Sequence, residues 1–311
     1  MARRDHIGRG PPPIPLHSRR FGPHRHGSAA RRPAPVRCWH TRRVELQQIG
    51  LSHPRVKQVL DIQNNTAPNR ERLVVAEGLW AQRLVLDAGV PVRTLLWCPE
   101  LAYSDESVLR AGQLAERAEQ AYRVSAKTLE RIGERGQQDG LLSVVRLPWH
   151  EPDLLRFGSS ALVLVADAVE IPGNLGTLVR TLDAVRADCL VLTNRRTRLT
   201  HPKVFRGSQG TVLTVPSVEF PSAAEAAPWL RRQGFRVLLA DTDDALNYRQ
   251  VDYTGRVALV VGSERYGISR PWYEHGFDRV AVPMLGSADS LNVSVSASVL
   301  LYEARARQDG W

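Results

Sequence analysis

Three polar, glycine-bearing segments in the second half of the chain hold the residue types best suited to chemistry. They are residues 170–181 (EIPGNLGTLVRT), 262–267 (GSERYG) and 283–294 (PMLGSADSLNVS), and each follows an apolar run typical of a buried strand. A helix predicted to start near Leu175 adds free N–H groups and the positive end of its dipole. Because an open α/β sheet binds its ligand at the carboxyl ends of its strands, the three segments predict one shared ligand site.

Motifs of several large enzyme classes are missing from the sequence. No G-x-G-x-x-G follows a predicted strand, and the chain has no G-x-x-x-x-G-K-[ST], G-x-S-x-G or H-E-x-x-H. These absences count against the usual dinucleotide-binding and class I methyltransferase loops, common nucleotide hydrolases, serine hydrolases and zinc peptidases.

The cysteines indicate whether the chain binds a metal and in which compartment it functions, and the apolar runs indicate whether it enters a membrane. Cys38, Cys98 and Cys189 lie far apart, and neither a disulfide framework nor a zinc site can be built from them. We therefore expect no metal and a reducing compartment, the cytoplasm. No stretch approaches the roughly 18 consecutive apolar residues of a membrane span, so we expect no membrane-embedded segment.

The positive charge of the chain is concentrated at its start. The whole chain carries 42 basic and 32 acidic residues, a net charge of +10. Residues 1–43 contain eleven arginines and Asp5 as the one acid, whereas residues 44–311 are neutral as a whole. A basic RNA-binding face in the later residues must therefore be a local patch.

Residues 1–43 are rich in proline and arginine and have no usable period, so we predict a disordered extension. Three interpretations are open: a basic arm that contacts RNA phosphates, a targeting peptide, or an unselected extension. We favour the last, because sequence with a regular apolar pattern begins near Val44.

Residues 44–150 predict a small α/β domain of short alternating elements. The predicted helices are Pro54–Gln63, Leu79–Ala88 and Ser107–Gln120, and the predicted strands are Leu73–Glu77, Val92–Trp97, Ala121–Val124 and Leu141–Leu147. Residues 148–158 have the composition of a linker.

Residues 151–311 predict a second α/β domain with a mostly parallel sheet. Its apolar runs are apolar on both faces and alternate with helical patterns, which is typical of strands buried between helices. The runs are Ala161–Ala166, Cys189–Leu192, Val212–Val215, Arg236–Ala240, Val257–Val261 and Arg279–Val282, and a final helix is predicted at Val293–Arg307.

The three polar segments, in their order and spacing, resemble the three motifs of the SpoU family of RNA ribose 2′-O-methyltransferases, of the SPOUT superfamily. The stretch 202–210 (PKVFRGSQG) also resembles the family between its first and second motifs. Residues 44–150 more loosely resemble the ribosomal-protein-like RNA-binding domain that precedes the catalytic domain in many members. The resemblance implies a C-terminal trefoil knot that binds S-adenosylmethionine (AdoMet) and mediates homodimer formation.

Site residues follow from this resemblance, position by position. The residues expected to bind the cofactor are Gly262, Val282, Met284, Ser290 and Leu291. The expected catalytic residues are Asn174, Arg180, Glu264 and Asn292. The residues expected to contact RNA are Arg72, Arg180 and Arg206. From the residues alone, Asn174 and Asn292 are also candidate helix N-caps, and Arg72 a candidate surface charge.

The implied reaction is methyl transfer to a ribose 2′-hydroxyl, which needs a positioned acceptor oxygen and removal of its proton. Because a guanidinium hardly ever deprotonates, we expect Arg180 to bind an RNA phosphate and stabilise negative charge on the 2′-oxygen. Glu264 would orient Arg180 or accept the proton.

Other interpretations remain open at this stage. Ribosomal RNA is the favoured substrate and tRNA the alternative, and the modified nucleotide is not readable from the sequence. A catalytically silent RNA-binding relative would be expected to lose motif residues, yet all four predicted catalytic residues are present. A small-molecule α/β enzyme would not need the additional N-terminal domain.

Overall fold

Two β-sheets organise residues 46–133 and 139–311, which are the residues that the computed structural model describes. The predicted extension at residues 1–43, with Cys38, lies outside the described residues. The described residues belong to one compact unit.

The first sheet has five strands in the order β1-β4-β3-β5-β2. The central strand β3 pairs in parallel with β4 and antiparallel with β5, so the sheet is mixed. The strands are β1 (Gln48–Ile49), β2 (Leu73–Glu77), β3 (Val92–Trp97), β4 (Ala118–Val124) and β5 (Leu141–Arg146). The helices of this region are α1 (Pro54–Asn64), α2 (Gly78–Ala88), α3 (Asp105–Arg117) and α4 (Ala126–Ile132).

One helix boundary predicted for this region is wrong. The helix predicted to run to Gln120 ends at Arg117, and Ala118 is already extended, with φ −74° and ψ 138°. Ala118 pairs with Val92 of β3, so three residues compatible with a helix join the sheet instead. Hydrogen bonds to a neighbouring strand outweigh local helix propensity here.

The second sheet has seven strands in the order β10-β12-β9-β11-β6-β7-β8, and every pair in it is parallel. This confirms the predicted α/β class with a mostly parallel sheet. The strands are β6 (Ala161–Asp167), β7 (Cys189–Thr193), β8 (Ser217–Phe220), β9 (Arg236–Ala240), β10 (Leu246–Asn247), β11 (Arg256–Val261) and β12 (Asp278–Ala281). The helices are α5 (Pro172–Ala184), α6 (Pro202–Gly207), α7 (Ala223–Arg232), α8 (Arg270–Tyr273) and α9 (Val293–Asp309).

The run Val212–Val215, predicted as a strand, is not one. Residues Thr211–Leu213 form a short 3₁₀ helix after Gly210, which has a left-handed φ of 75°. Val212, Leu213 and Val215 are nonetheless buried. The run is therefore apolar because it packs in the core, and the strand β8 follows it.

The central strands of the second sheet are buried on both faces. In β6, Leu162, Leu164 and Ala166 belong to a core that also holds buried residues of α5 and α9. The alternating residues Val163 and Val165 belong to a second core, with buried residues of α7 and α8. This alternation is what a parallel sheet covered by helices on both sides requires.

The first of these cores continues to the five-stranded sheet, where it includes Val74 of β2, Leu95 of β3 and Val85 of helix α2. The predicted linker joins the two sheets and contains one 3₁₀ turn at Pro152–Leu154. Within the described residues, no helix combines the length and apolar character needed to cross a membrane.

Candidate active site

Helix α5 begins three residues earlier than predicted, at Pro172. The proline ring fixes φ near the helical value, and its missing N–H is not needed in the first turn. Ile171 precedes the helix and provides no side-chain cap. Asn174 is therefore the third residue of α5, and the prediction that it caps the helix is wrong. Its amide is instead used in contacts with other segments.

Asn174 connects the three polar segments through a chain of hydrogen bonds. Its Nδ2 donates to Oε1 of Glu264 at 2.6 Å, and its Oδ1 accepts from Nδ2 of Asn292 at 3.3 Å. The Glu170 amide donates to the second oxygen of Glu264 at 3.3 Å. Three of the four predicted catalytic residues thus lie together, each from a different segment.

Asn292 also caps helix α9, as the sequence allowed. Its Oδ1 accepts from the backbone N–H of Ser294 at 2.9 Å and from the Ser294 hydroxyl at 2.6 Å. The cap leaves the Nδ2 group of Asn292 for Asn174. The Asn292 side chain therefore caps α9 and also links the third polar segment to the first.

The turn after β11 requires glycine at position 262. Ser263 and Gly267 exchange two backbone hydrogen bonds, of 2.9 and 3.0 Å, which fold residues 267–268 back onto Gly262. A Cβ on Gly262 would lie 2.0 Å from the carbonyl carbon of Gly267 and 2.1 Å from the Ile268 nitrogen. The chain's own backbone excludes a side chain there.

A cavity of about 450 Å³ opens beside this turn, at the carboxyl ends of β9, β11 and β12. Its volume lies within the roughly 300–1,000 Å³ of small-molecule sites. Glu264 and Asn292 line it, together with every residue of the predicted cofactor group: Gly262, Val282, Met284, Ser290 and Leu291. The remaining wall is largely apolar, with Val261, Ile268, Val280 and Leu300.

Asp241 and Thr242 line the same cavity and were missed in the sequence. They directly follow β9, so the rule that singled out the other three strand ends also applies to them. The Tyr273 hydroxyl donates to Oδ2 of Asp241 at 2.7 Å. Burial and this hydrogen bond raise the pKa of Tyr273, which keeps the phenol neutral at physiological pH.

Asp167, at the end of β6, is fully buried and was also missed. Its carboxylate accepts from the Thr193 hydroxyl at 2.8 Å, from the Asn194 amide at 2.7 Å and from the Ser269 backbone N–H at 2.7 Å. It therefore fixes the chain that follows the Gly262 turn to the end of the neighbouring strand.

Arg180 lies on the exposed side of α5, two turns beyond Asn174. No described side chain pairs or hydrogen-bonds with its guanidinium, and it is not among the residues that line the cavity. One turn before Arg180, α5 crosses α6 closely, since a Cβ on Gly176 would lie 2.9 Å from Cα of Gly207. The structure thus leaves Arg180 available to an outside group.

The other two predicted RNA contacts differ from Arg180. Arg72 pairs with Glu219 at 3.4 Å, and its guanidinium lies 4.5 Å from the centre of the Trp149 ring. These intramolecular contacts do not favour an RNA contact by Arg72, which stays a prediction. Arg206 is an exposed residue of α6. Among the described residues, no group of three or more histidine, cysteine or acidic side chains is arranged to hold a metal ion.

Comparison with known proteins identifies the class. Residues 161–302 match the model of the SpoU rRNA Methylase family. The chain is 31% identical over 229 residues, 71% of its length and 78% of the relative's, to the 23S rRNA (uridine(2479)-2′-O)-methyltransferase of Streptomyces viridochromogenes.

Two solved structures are similar over most of their length. One, an RNA 2′-O ribose methyltransferase, has 30% identity and a TM-score of 0.68, with 84% of this chain and 99% of that chain covered. The other, the SpoU methyltransferase AviRb from Streptomyces viridochromogenes in complex with AdoMet, has 26% identity and a TM-score of 0.70, with 82% and 98% covered.

The parallel sheet, the cavity at its strand ends and these matches define an RNA methyltransferase. The chain belongs to the SpoU rRNA Methylase family. The family predicted from the three motifs is confirmed.

Proposed function

We propose that this protein transfers a methyl group from AdoMet to a ribose 2′-hydroxyl of ribosomal RNA. The observation that carries the proposal is the convergence of Asn174, Glu264 and Asn292 at the edge of the 450 Å³ cavity. Ribosomal RNA is favoured because the relative that matches over 71% of the chain is named for 23S rRNA. Transfer RNA remains the alternative, since other relatives are named as tRNA/rRNA methyltransferases.

The residues of the cavity fit AdoMet. Val282 and Leu291 supply apolar surface for an adenine ring, and the turn at Gly262 brings backbone N–H and carbonyl groups to the cavity without an intervening side chain. Bound there, AdoMet supplies a methyl group activated by a sulfonium. Asp241 adds a carboxylate suited to the ammonium or ribose hydroxyls of such a ligand.

Glu264 and Arg180 would act on the acceptor, the ribose 2′-hydroxyl of the RNA. Each oxygen of Glu264 already accepts one hydrogen bond, which fixes the carboxylate, and each retains a lone pair for the 2′-hydroxyl proton or for Arg180. Arg180, charged and without a described partner, would bind the RNA phosphate and stabilise negative charge on the 2′-oxygen. Holding that oxygen about 3–3.5 Å from the methyl carbon would supply much of the rate.

The proposal includes the trefoil knot and a homodimer. In support of the knot, β11 lies between β9 and β6, and after β12 the chain returns as α9 to pack on α5 and β11. In support of the dimer, α9 leaves Val295 and Tyr302 exposed, and Leu291 before it is also exposed. An exposed apolar patch of this kind is typical of an interface.

The proposal assigns residues 44–150 to an RNA-binding domain and residues 151–311 to the catalytic domain. The separate five-stranded sheet of the first region supports this division. A cytoplasmic location stays part of the proposal, and it is supported by Cys98 and Cys189, which are buried and form no disulfide among the described residues.

The test uses methyl-labelled AdoMet with ribosomal and transfer RNA that lack host modification, and compares the wild type with Arg180→Ala. The labelled RNA is then digested in alkali. A labelled dinucleotide that resists alkali, and that the variant fails to produce, supports ribose methylation and identifies the RNA. Label on a base, or no label in either RNA, would overturn the proposed reaction.

A further inference from the structure

A second cavity, of about 550 Å³, lies between the two sheets and shares no lining residue with the first. Trp80 of α2 contributes to it from the side of the five-stranded sheet. Phe205 of α6 and Gln209, just after α6, contribute from the side of the seven-stranded sheet. Gln63 of α1 also lines this cavity, which we call the interdomain cleft.

Trp80 offers an aromatic surface that is held in place. Its side chain is 47% exposed. At the same time, a Cβ on Gly210 would lie 3.3 Å from Cη2 of Trp80 and 2.9 Å from Cδ1 of Leu84, so the ring packs tightly against the turn after α6. A fixed and exposed indole is a surface on which an unpaired base can stack.

Gln63 and Gln209 bring unpaired amides to the same cleft. In the described part of the chain, neither side-chain amide has a hydrogen-bond partner. An amide can pair with the donors and acceptors on the edge of a base. The cleft therefore combines a stacking surface with two groups able to recognise a base edge.

Gln209 holds its position at a conformational cost. Its φ of 50° is left-handed, in the segment that ends α6, where glycine is the usual residue. A side chain in this conformation is destabilising, because its Cβ approaches the backbone too closely. Stability alone favours glycine, and such exceptions concentrate at functional sites.

Positive charge gathers beside the cleft. Residues 195–206 contain five arginines and lysines and no acidic residue, and of these cations Arg195 pairs with Glu219 at 2.9 Å. Burial, and then the charges of Lys203, Arg198 and Arg206, lower the pKa of His201, whose side chain caps the start of α6. Since residues 44–311 are neutral as a whole, this is a local basic patch of the kind that contacts phosphates.

The cleft is also connected to the candidate active site. Helix α6 forms one wall of the cleft and crosses α5 at the Gly176–Gly207 contact, one turn before Arg180. A nucleotide in the cleft and a nucleotide at Arg180 would therefore be held by two helices in direct contact.

The geometry points to the interdomain cleft as the site for an unstacked RNA base near the methylated nucleotide. The base stacks on Trp80, the amides of Gln63 and Gln209 contact its edge, and Lys203 and Arg198 contact the adjoining phosphates. This inference rests on the proposed function, because it takes the methylated RNA as the ligand.

The experiment measures the affinity of the full chain for an unmodified transcript of large-subunit ribosomal RNA by filter binding. Stacking on an aromatic ring contributes about 1–3 kcal/mol per base, so Trp80→Ala should weaken binding about 5- to 150-fold. Trp80→Phe should recover most of that loss. Trp311→Ala is the matched control, since Trp311 is exposed and lies just after Gln308, which contacts the starts of β6 and β11 at the opposite edge of the sheet.

Gln209→Gly separates binding from folding. We expect RNA affinity to fall about 2- to 10-fold, the value of one hydrogen bond, while the melting temperature stays equal or rises because the left-handed residue becomes glycine. AdoMet affinity, measured by calorimetry, should not change in Trp80→Ala or Gln209→Gly.

Different results would overturn the base site in the cleft and the proposed methyl-transfer reaction. RNA binding by Trp80→Ala within twofold of the wild type overturns the cleft as a base site, even if the wild type methylates the RNA. Binding that depends on Trp80 without any methyl transfer would leave the cleft in place and overturn the proposed reaction. If an apolar peptide competes with the RNA for binding and oligonucleotides do not, the cleft binds a protein partner and the inference is overturned.

Discussion

Replacement of Gly262 by alanine is expected to weaken AdoMet binding about 30-fold. The new methyl group would lie 2.0 Å from the Gly267 carbonyl carbon and 2.1 Å from the Ile268 nitrogen, both of them backbone atoms. Neither can rotate away as a flexible side chain would. Residues 267–268 must therefore move, and the two hydrogen bonds between Ser263 and Gly267 must lengthen or break.

The free-energy cost of the substitution can be derived from these contacts. Two backbone hydrogen bonds are worth about 0.5–1.5 kcal/mol each, and overpacking in a tight region costs about 1–3 kcal/mol. If about 2 kcal/mol of this total is lost from ligand binding, the Kd for AdoMet rises about 30-fold. The rest should appear as a lower melting temperature, since the turn is part of the folded chain.

Calorimetric titration with AdoMet and a thermal unfolding curve measure the two parts. Gly286→Ala is the control, because nothing lies within 4 Å of a Cβ at Gly286 and its φ is outside the left-handed region. We expect the control to bind AdoMet like the wild type. A Gly262→Ala variant that binds AdoMet within threefold of the wild type would refute the reasoning that the closed turn shapes the cavity.

Three further predictions concern buried and paired carboxylates. Glu264→Gln keeps the size of the side chain but loses the charge and one of the two acceptors that face Asn174 and the Glu170 amide, so single-turnover methyl transfer should fall at least about tenfold with AdoMet affinity little changed. Asp167→Ala removes the acceptor of three hydrogen bonds, and of the three donors the Asn194 amide keeps another acceptor, the Ser269 hydroxyl at 3.3 Å. At about 1–3 kcal/mol for each unsatisfied donor, the free energy of unfolding in urea should fall by about 2 kcal/mol or more. Hydrogen bonds, the first from Arg123, lower the pKa of Glu100 to about 2 from 4.5, so its stabilising contribution is present above pH 4.5 and is lost as the pH falls towards 2. Glu100→Gln should therefore reduce the loss of melting temperature between pH 5 and 2.

Each of these three predictions has its own contrary result. Wild-type single-turnover rates in Glu264→Gln would remove the carboxylate from the reaction. Unchanged urea unfolding in Asp167→Ala would mean that water satisfies the buried donors. Melting temperatures that fall equally with pH in Glu100→Gln and the wild type would assign the acid sensitivity to other carboxylates.

Much of the second sheet could be predicted from the sequence, because fully buried parallel strands leave a strong apolar signal. Ala161–Ala166 and Val257–Val261 agree with β6 and β11 to within one residue at each end. The run Val212–Val215 carries the same signal and is a 3₁₀ turn in the core, since burial alone does not distinguish a strand from a packed turn.

The candidate site was predictable in its composition but not in its contacts. Glycine turns at strand ends located the three polar segments, and the family resemblance singled out Glu264 and Asn292 within them. The structure joins both residues to Asn174. The predicted start of α5 near Leu175 is three residues late, because a Pro-Gly pair is typical of a turn although proline also begins helices.

The residues that act over long sequence separations could not be found in this way. Asp167 receives hydrogen bonds from residues 26, 27 and 102 positions away, and a lone aspartate at a strand end carries no local signal of such a role. Arg72 similarly pairs with Glu219 across 147 positions, which only the packing of the two sheets establishes. Asp241, like Asp167, directly follows a predicted strand, so the strand-end rule covers the positions of both residues but not their partners.

The most direct test of the central claim removes the acceptor oxygen. A ribosomal RNA fragment that the protein methylates is synthesised again with a 2′-deoxyribose at the modified nucleotide alone, and transfer of label from AdoMet is measured on both fragments. We expect the deoxy fragment to bind the protein but to receive no label. Label transferred to the deoxy fragment at the original rate would contradict methylation of the ribose 2′-hydroxyl.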